Sequence, residues 1–170
     1  MVRTPGGDFF EMKNILVSID FSDATSQVLD LARQLGKAFD AQIHFVHVRE
    51  IPAPLPTSPL GYGALGMPEM VPMSEVVAQP MVPNEEEKKK LEEWKAELER
   101  PGLNVSLHEP MGEVAEEILE CAAAVKADAI VMGRHGHGAM YNLLVGSVTE
   151  GVLKRASCPV VLVPSGAPKH

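Results

Sequence analysis

An apolar run ending in glycines, then an amphipathic segment, then a second apolar run leaves a chain few ways to fold. Ala129-Ile130-Val131-Met132 is such a run, and it passes into Gly133-Arg134-His135-Gly136-His137-Gly138. Gly146-Ser147-Val148-Thr149-Glu150 opens the amphipathic segment, which stops at Cys158-Pro159 before Val160-Val161-Leu162-Val163. The pattern reads as strand, glycine-rich loop, helix, strand. N–H groups at the start of that helix lack intrahelical acceptors and carry partial positive charge, so the place suits an anion, a nucleotide phosphate foremost. A plainer reading stands beside it. Ser147 and Glu150 have capping-box spacing, in which the serine merely caps the helix.

The same alternation runs through the rest of the chain. Lys13 to Asp20 is a short apolar run closed by a carboxylate, a buried strand. Ser22 or Asp23 is expected to cap the next helix, whose apolar stripe is Val28, Leu31, Ala32, Leu35 and Phe39, with Gly36 weakening its last turns. Ala41 to Val48 is the second strand. Glu85 to Arg100 is a charged helix with Leu91, Trp94 and Leu98 on one face, ended by Pro101-Gly102. Leu103, Val105 and Leu107 alternate with polar residues, giving a third strand at an edge. Gly112 opens a further helix with the stripe Val114, Ile118, Cys121, Ala122 and Val125. Five strands alternate with four helices. The expected fold is therefore α/β, an open doubly wound parallel sheet with helices on both faces.

One stretch breaks the rhythm. Residues 51 to 83 hold eight of the 14 prolines, and proline at that density blocks helix and inner-strand hydrogen bonding alike. Met67, Met70, Met73 and Met81 are scattered through it. A loop so long is either a lid or partner surface, or a loosely folded insertion. The expected organisation is a flexible lead-in over 1–12, one domain over 13–165 carrying this insertion, and a tail over 166–170.

The four positions Gly133, Gly136, Gly146 and Ser147 reproduce Gly-x2-Gly-x9-Gly-Ser. With Cys158-Pro159 and the strand after it, the stretch resembles the C-terminal signature of the universal stress protein family, in its ATP-binding branch. The resemblance covers nearly the whole chain except the lead-in and the insertion. It implies strand order 3-2-1-4-5, the fold shared with adenine-nucleotide-alpha-hydrolase-like proteins, and ATP or another adenine nucleotide as ligand. It also implies a role in stress response, a backbone contact from Val46 to adenine, and a homodimer paired through Val160 to Val163. An edge shielded by the tail Ser165 to His170 is the alternative to that dimer.

The residues themselves suggest roles in such a site. Asp20, at the end of the first strand, can accept hydrogen bonds from ribose or base. Gly133 and Gly136 would let the loop approach ribose and phosphates, and Gly146, Ser147, Val148 and Thr149 would supply N–H and hydroxyl donors. Ser18, Ile19 and Met132 adjoin these positions and complete the candidate set. Arg134 either adds charge or is solvated, and His135 and His137 either flank the phosphates or face solvent. A His-x-His pair lacks the further ligands of a zinc site, and His44 and His47 point to opposite faces of a strand. Any Mg²⁺ would be carried by the nucleotide.

Several function classes are disfavoured. A net charge of −8 with no basic stripe argues against nucleic acid as partner. No apolar run is long enough to span a bilayer and the N-terminus shows no secretory signal. Cys121 and Cys158 read as reduced thiols of a cytoplasmic protein. The lysine-bearing P-loop and the Gly-x-Ser-x-Gly elbow are both missing, so a regulatory binding protein with at most slow ATP hydrolysis is expected. The alternatives are a phosphotransfer enzyme on this scaffold and a dimeric module with a vestigial site, or one preferring AMP or cyclic AMP.

Overall fold

A computed structural model describes residues 11–49, 84–134 and 146–164. Its elements follow the expected alternation: β1 (Asn14–Ser18), α1 (Thr25–Phe39), β2 (Gln42–Val46), α2 (Glu85–Glu99), β3 (Val105–His108), α3 (Val114–Ala124), β4 (Ala129–Gly133), α4 (Ser147–Arg155) and β5 (Val160–Val163). All strand pairs are parallel, and the sheet order is β3-β2-β1-β4-β5. The doubly wound sheet and its order are thus as expected, with β3 at one edge and β5 at the other.

The apolar strands alternate between two cores, which is why they read as continuous runs. Ile15, Val17, Ile43, Phe45 and Val131 meet Val28, Leu29 and Ala32 of α1 and Leu91 and Leu98 of α2. Leu16, Val46, Ile130 and Met132 meet Ala115, Ile118 and Ala122 of α3 and Val152 of α4. Ile15, Leu16 and Val17 are all fully buried, each worth about 1.5–3 kcal/mol relative to exposure. Met12, within the expected lead-in, packs against the α1–α2 core; residues 1–10 lie outside the described residues.

Local details correct three readings. Residue Ala24, not Ser22 or Asp23, occupies the N-cap of α1 and supplies no side-chain cap. The preceding turn takes those groups instead: Ser22 N–H donates to Asp20 Oδ1 (3.0 Å) and Ala24 N–H to Ser22 Oγ (3.3 Å), which delays the helix. Helix α3 starts at Val114 rather than at Gly112, because Glu113 is the cap and its side chain accepts the Glu116 N–H. Gly36 does more than weaken α1. A Cβ there would come within 3.1–3.3 Å of Leu103 and Ile43, so its absence lets the helix lie close on the sheet.

Candidate functional site

The strand order reverses between β1 and β4, which run side by side with Val17 opposite Val131. Residues at and just beyond their C-terminal ends lie where open parallel sheets take ligands. From β1 this brings Ser18, Ile19 and Asp20; from β4 it brings Met132, Gly133 and Arg134. Ile19 and Met132 are buried, Asp20 is half-buried and Arg134 is exposed. The carboxylate of Asp20 is already oriented: Oδ1 accepts the Ser22 N–H at 3.0 Å and the Thr25 hydroxyl at 3.5 Å. Its Oδ2 has no hydrogen-bond partner among the described residues.

Helix α4 begins over the end of β4. Gly146 is the N-cap, with extended backbone and no side-chain cap, so Ser147 is the first helical residue and cannot be the cap. Glu150 does not reach back to the helix start; its carboxylate pairs with Lys154 at 2.6 Å, and that hydrogen bond, with the lysine's charge, lowers its pKa. The capping box is therefore not formed. The first intrahelical bond runs from Glu150 N–H to the Gly146 carbonyl (2.9 Å), which leaves the N–H groups of Ser147, Val148 and Thr149 ahead of the ladder. Ser147 is exposed.

Two of the expected phosphate donors have other uses. Gly146 N–H donates to the Arg134 carbonyl at 3.2 Å. Thr149, 2% exposed, has its hydroxyl 3.2 Å from the Gly133 carbonyl and 3.3 Å from that of Arg134, and donates to them. Arg134 N–H in turn donates to Val163 at 2.9 Å, tying β5 to the same corner. His135 and Gly136, with His137, lie outside the described residues, as does the 51–83 insertion.

On β2, Val46 sits opposite Ser18 with its side chain fully buried, and its carbonyl accepts the Ile19 N–H at 2.9 Å. That backbone belongs to the ladder. Val48, two residues on and on the same side of the strand, is the next position past the end of β1.

One feature was missed altogether. Phe21 has φ +57°, a left-handed conformation uncommon for a bulky residue. Its ring stands edge-on to His47, with centroids 4.9 Å apart, and lies 5.3 Å from Trp94 of α2. His47 donates from Nδ1 to the Ile19 carbonyl (2.9 Å) and turns Nε2 toward Glu87 at 3.8 Å. The loop after Asp20 is thus held by α2, the helix that follows the insertion. His44 is on the opposite face, 7% exposed, and burial followed by the charge of His108 lowers its pKa, so its imidazole is neutral at neutral pH. Among the described residues no three His, Cys, Asp or Glu side chains gather into a metal cluster, and no helix is long and apolar enough to cross a membrane.

Comparison with known proteins bears on family and fold. The model of the universal stress protein family matches residues 11–164. Universal stress protein MJ0531 of Methanocaldococcus jannaschii is 34% identical over 152 residues, covering 89% of this chain and 81% of the relative. The solved structure of protein MJ0577 from the same organism superposes with a TM-score of 0.65 at 28% identity, over 92% of this chain and 99% of that one. A universal stress protein solved in complex with cAMP shares the fold, at 20% identity and TM-score 0.62, over 92% of this chain and 99% of its own. The chain belongs to the universal stress protein family.

Proposed function

We propose that this protein is an adenine-nucleotide-binding regulator of the stress response, with ATP as its ligand and at most slow hydrolysis. The observation that carries the reading is the first turn of α4, which has no side-chain cap and is held over the end of β4, the strand that pairs with β1 ahead of Asp20. In this reading the N–H groups of Ser147, Val148 and Thr149 and the Ser147 hydroxyl receive the phosphates, and Arg134 adds charge. Asp20 Oδ2 accepts from the ribose. The adenine edge meets the backbone at Val48, just past β2, since the Val46 carbonyl is engaged by Ile19. Thr149 braces the corner through its hydroxyl, and Gly146 closes it through its N–H. Mg²⁺, where present, is carried by the nucleotide's phosphates. The relative solved with cAMP lends coarse support, because it holds an adenine nucleotide on the same fold.

Assembly belongs to the same reading. β5 pairs on one side with β4, and its other edge is proposed to pair with a second copy of the chain. Sedimentation equilibrium should then give twice the chain mass.

The deciding experiment is calorimetric titration with ATP, ADP, AMP and cyclic AMP, with and without Mg²⁺, on the wild type and on Gly146→Ala and Ser147→Ala. ATP binding that weakens in both variants supports the phosphate site. Binding of ATP and AMP with equal affinity would sink the role given to α4, and no binding by any of the four would sink the nucleotide reading.

A further inference from the structure

A polar cluster on β1, β2 and β3 plays no part in the nucleotide reading. Register places His44 opposite Ser106 and Val46 opposite His108, so the two histidines and the serine share one face of adjacent strands. Ser106 Oγ is 2.7 Å from His44 Nδ1 and 3.2 Å from His108 Nε2, and the two nitrogens are 3.4 Å apart. On the other side of its ring, His44 Nε2 is 3.2 Å from Asn14 Oδ1. Asn14 can accept there, which assigns the proton to Nε2 and leaves the Nδ1 lone pair pointing at Ser106 and His108.

We propose that His44 Nδ1, His108 Nε2 and Ser106 Oγ form a site for a divalent ion of the zinc class, with water completing the coordination. Three observations converge. Two imidazole nitrogens bound to one tetrahedral zinc at about 2.0–2.1 Å each stand roughly 3.3–3.4 Å apart, the spacing found here between the two histidines, while Ser106 Oγ, now hydrogen-bonded to His44 at 2.7 Å, would turn outward to join them. The Asn14 bond is the outer-shell contact that metal-ligating histidines ordinarily make through their second nitrogen. The ligands also stand on paired strands rather than loops, which fixes their separation. His44 is buried, whereas Ser106 and His108 are half-buried, so solvent reaches one side of the site. With only two ligands of the strong classes, the site favours imidazole-seeking ions such as Zn²⁺, Co²⁺, Ni²⁺ and Cu²⁺ over Mg²⁺ or Ca²⁺. It lies apart from the crevice: His44 is level with Leu16, four residues before Asp20.

The test uses Co²⁺ as the probe, on the full chain freed of metal and nucleotide, with uptake read by equilibrium dialysis and by the visible absorption of low-symmetry Co²⁺. The wild type should take up one more equivalent than His108→Ala, and a His135→Ala/His137→Ala variant should keep that equivalent. Asn14→Ala should weaken it by about 10–100-fold. Ser106→Cys, which replaces a weak ligand by a thiolate, should tighten it and add a sulfur-to-cobalt charge-transfer band. Equal uptake by the wild type and a folded His108→Ala would overturn the proposal and leave a hydrogen-bonded histidine pair. Should His108→Ala fail to fold, Ser106→Cys decides, since the absence of its charge-transfer band overturns the proposal as well.

Discussion

The carbonyl oxygen of Arg134 accepts the backbone N–H of Gly146 at 3.2 Å, so the residues on either side of the 135–145 segment meet over the end of β4. The same oxygen lies 3.3 Å from the Thr149 hydroxyl. Among the described residues α4 is tied to this corner by the carbonyls of Gly133 and Arg134, and along its length it packs on α3. A helix start held in this way fixes the N–H groups of its first turn relative to β4, the preorganisation that the proposed phosphate site would use.

Thr149→Val tests that brace. Valine keeps the shape but loses the hydroxyl, leaving the strand carbonyls short of a donor, and a typical hydrogen bond contributes about 0.5–1.5 kcal/mol. Urea denaturation followed by the single tryptophan should show a loss of that size, with ATP affinity falling in parallel. Thr149→Ser should recover most of both. A Thr149→Val protein as stable as the wild type would mean that the helix start is held by other contacts.

Asp20 separates a structural role from a binding role. Its Oδ1 organises the turn into α1, while Oδ2 has no hydrogen-bond partner among the described residues and is the oxygen proposed to meet the ribose. Asparagine retains one carbonyl oxygen for the Ser22 N–H, so Asp20→Asn should leave stability within about 0.5 kcal/mol of the wild type while weakening ATP binding. Asp20→Ala removes both oxygens and should also cost stability, by about 1 kcal/mol. Equal ATP affinity in the wild type and Asp20→Asn, measured by calorimetry, would remove the carboxylate from the site.

The fold was legible because burial on both faces writes each inner strand as an unbroken apolar run, and Ile15 to Val17 and Ala129 to Met132 are such runs. Helix caps were less legible. Ser147 and Glu150 have capping-box spacing, yet the chain enters α4 one residue earlier, because Gly146 is drawn down to Arg134 by a contact remote in sequence. That the Val46 carbonyl is taken by the Ile19 N–H was no more legible, because where a strand leaves its ladder depends on the length of its neighbour. The Phe21–His47–Trp94 cluster joins three separate segments, and no local pattern records it.

Phe21 yields a prediction that runs against ordinary propensity. Alanine there loses the ring contacts with His47 and Trp94 but keeps the left-handed backbone, which costs an L-residue roughly 1–2 kcal/mol. Glycine loses the same contacts without that strain. Phe21→Gly should therefore be more stable than Phe21→Ala, by up to about 1 kcal/mol once the glycine's greater unfolded-state entropy is counted. Chemical denaturation of the two variants side by side measures the difference; a less stable glycine variant would show that the positive φ is not retained without the ring.

The two cysteines give the pH-dependent case. Both are free thiols. Burial raises the pKa of Cys121, with Glu117 adding to it, and burial followed by Asp128 raises that of Cys158. The thiolate is the reactive form, so alkylation by iodoacetamide near pH 7.5 should be slower in the folded protein than in urea for both residues. The sign for stability follows from linkage. The folded thiols hold their protons above the unfolded value of 9.0, so their contribution is fully present below that pH and is lost as pH rises through the folded pKa values. Between pH 8.5 and 10.5 the wild type should accordingly lose stability more steeply than a Cys121→Ala/Cys158→Ala variant, and parallel curves would show that neither thiol is shielded as its burial implies.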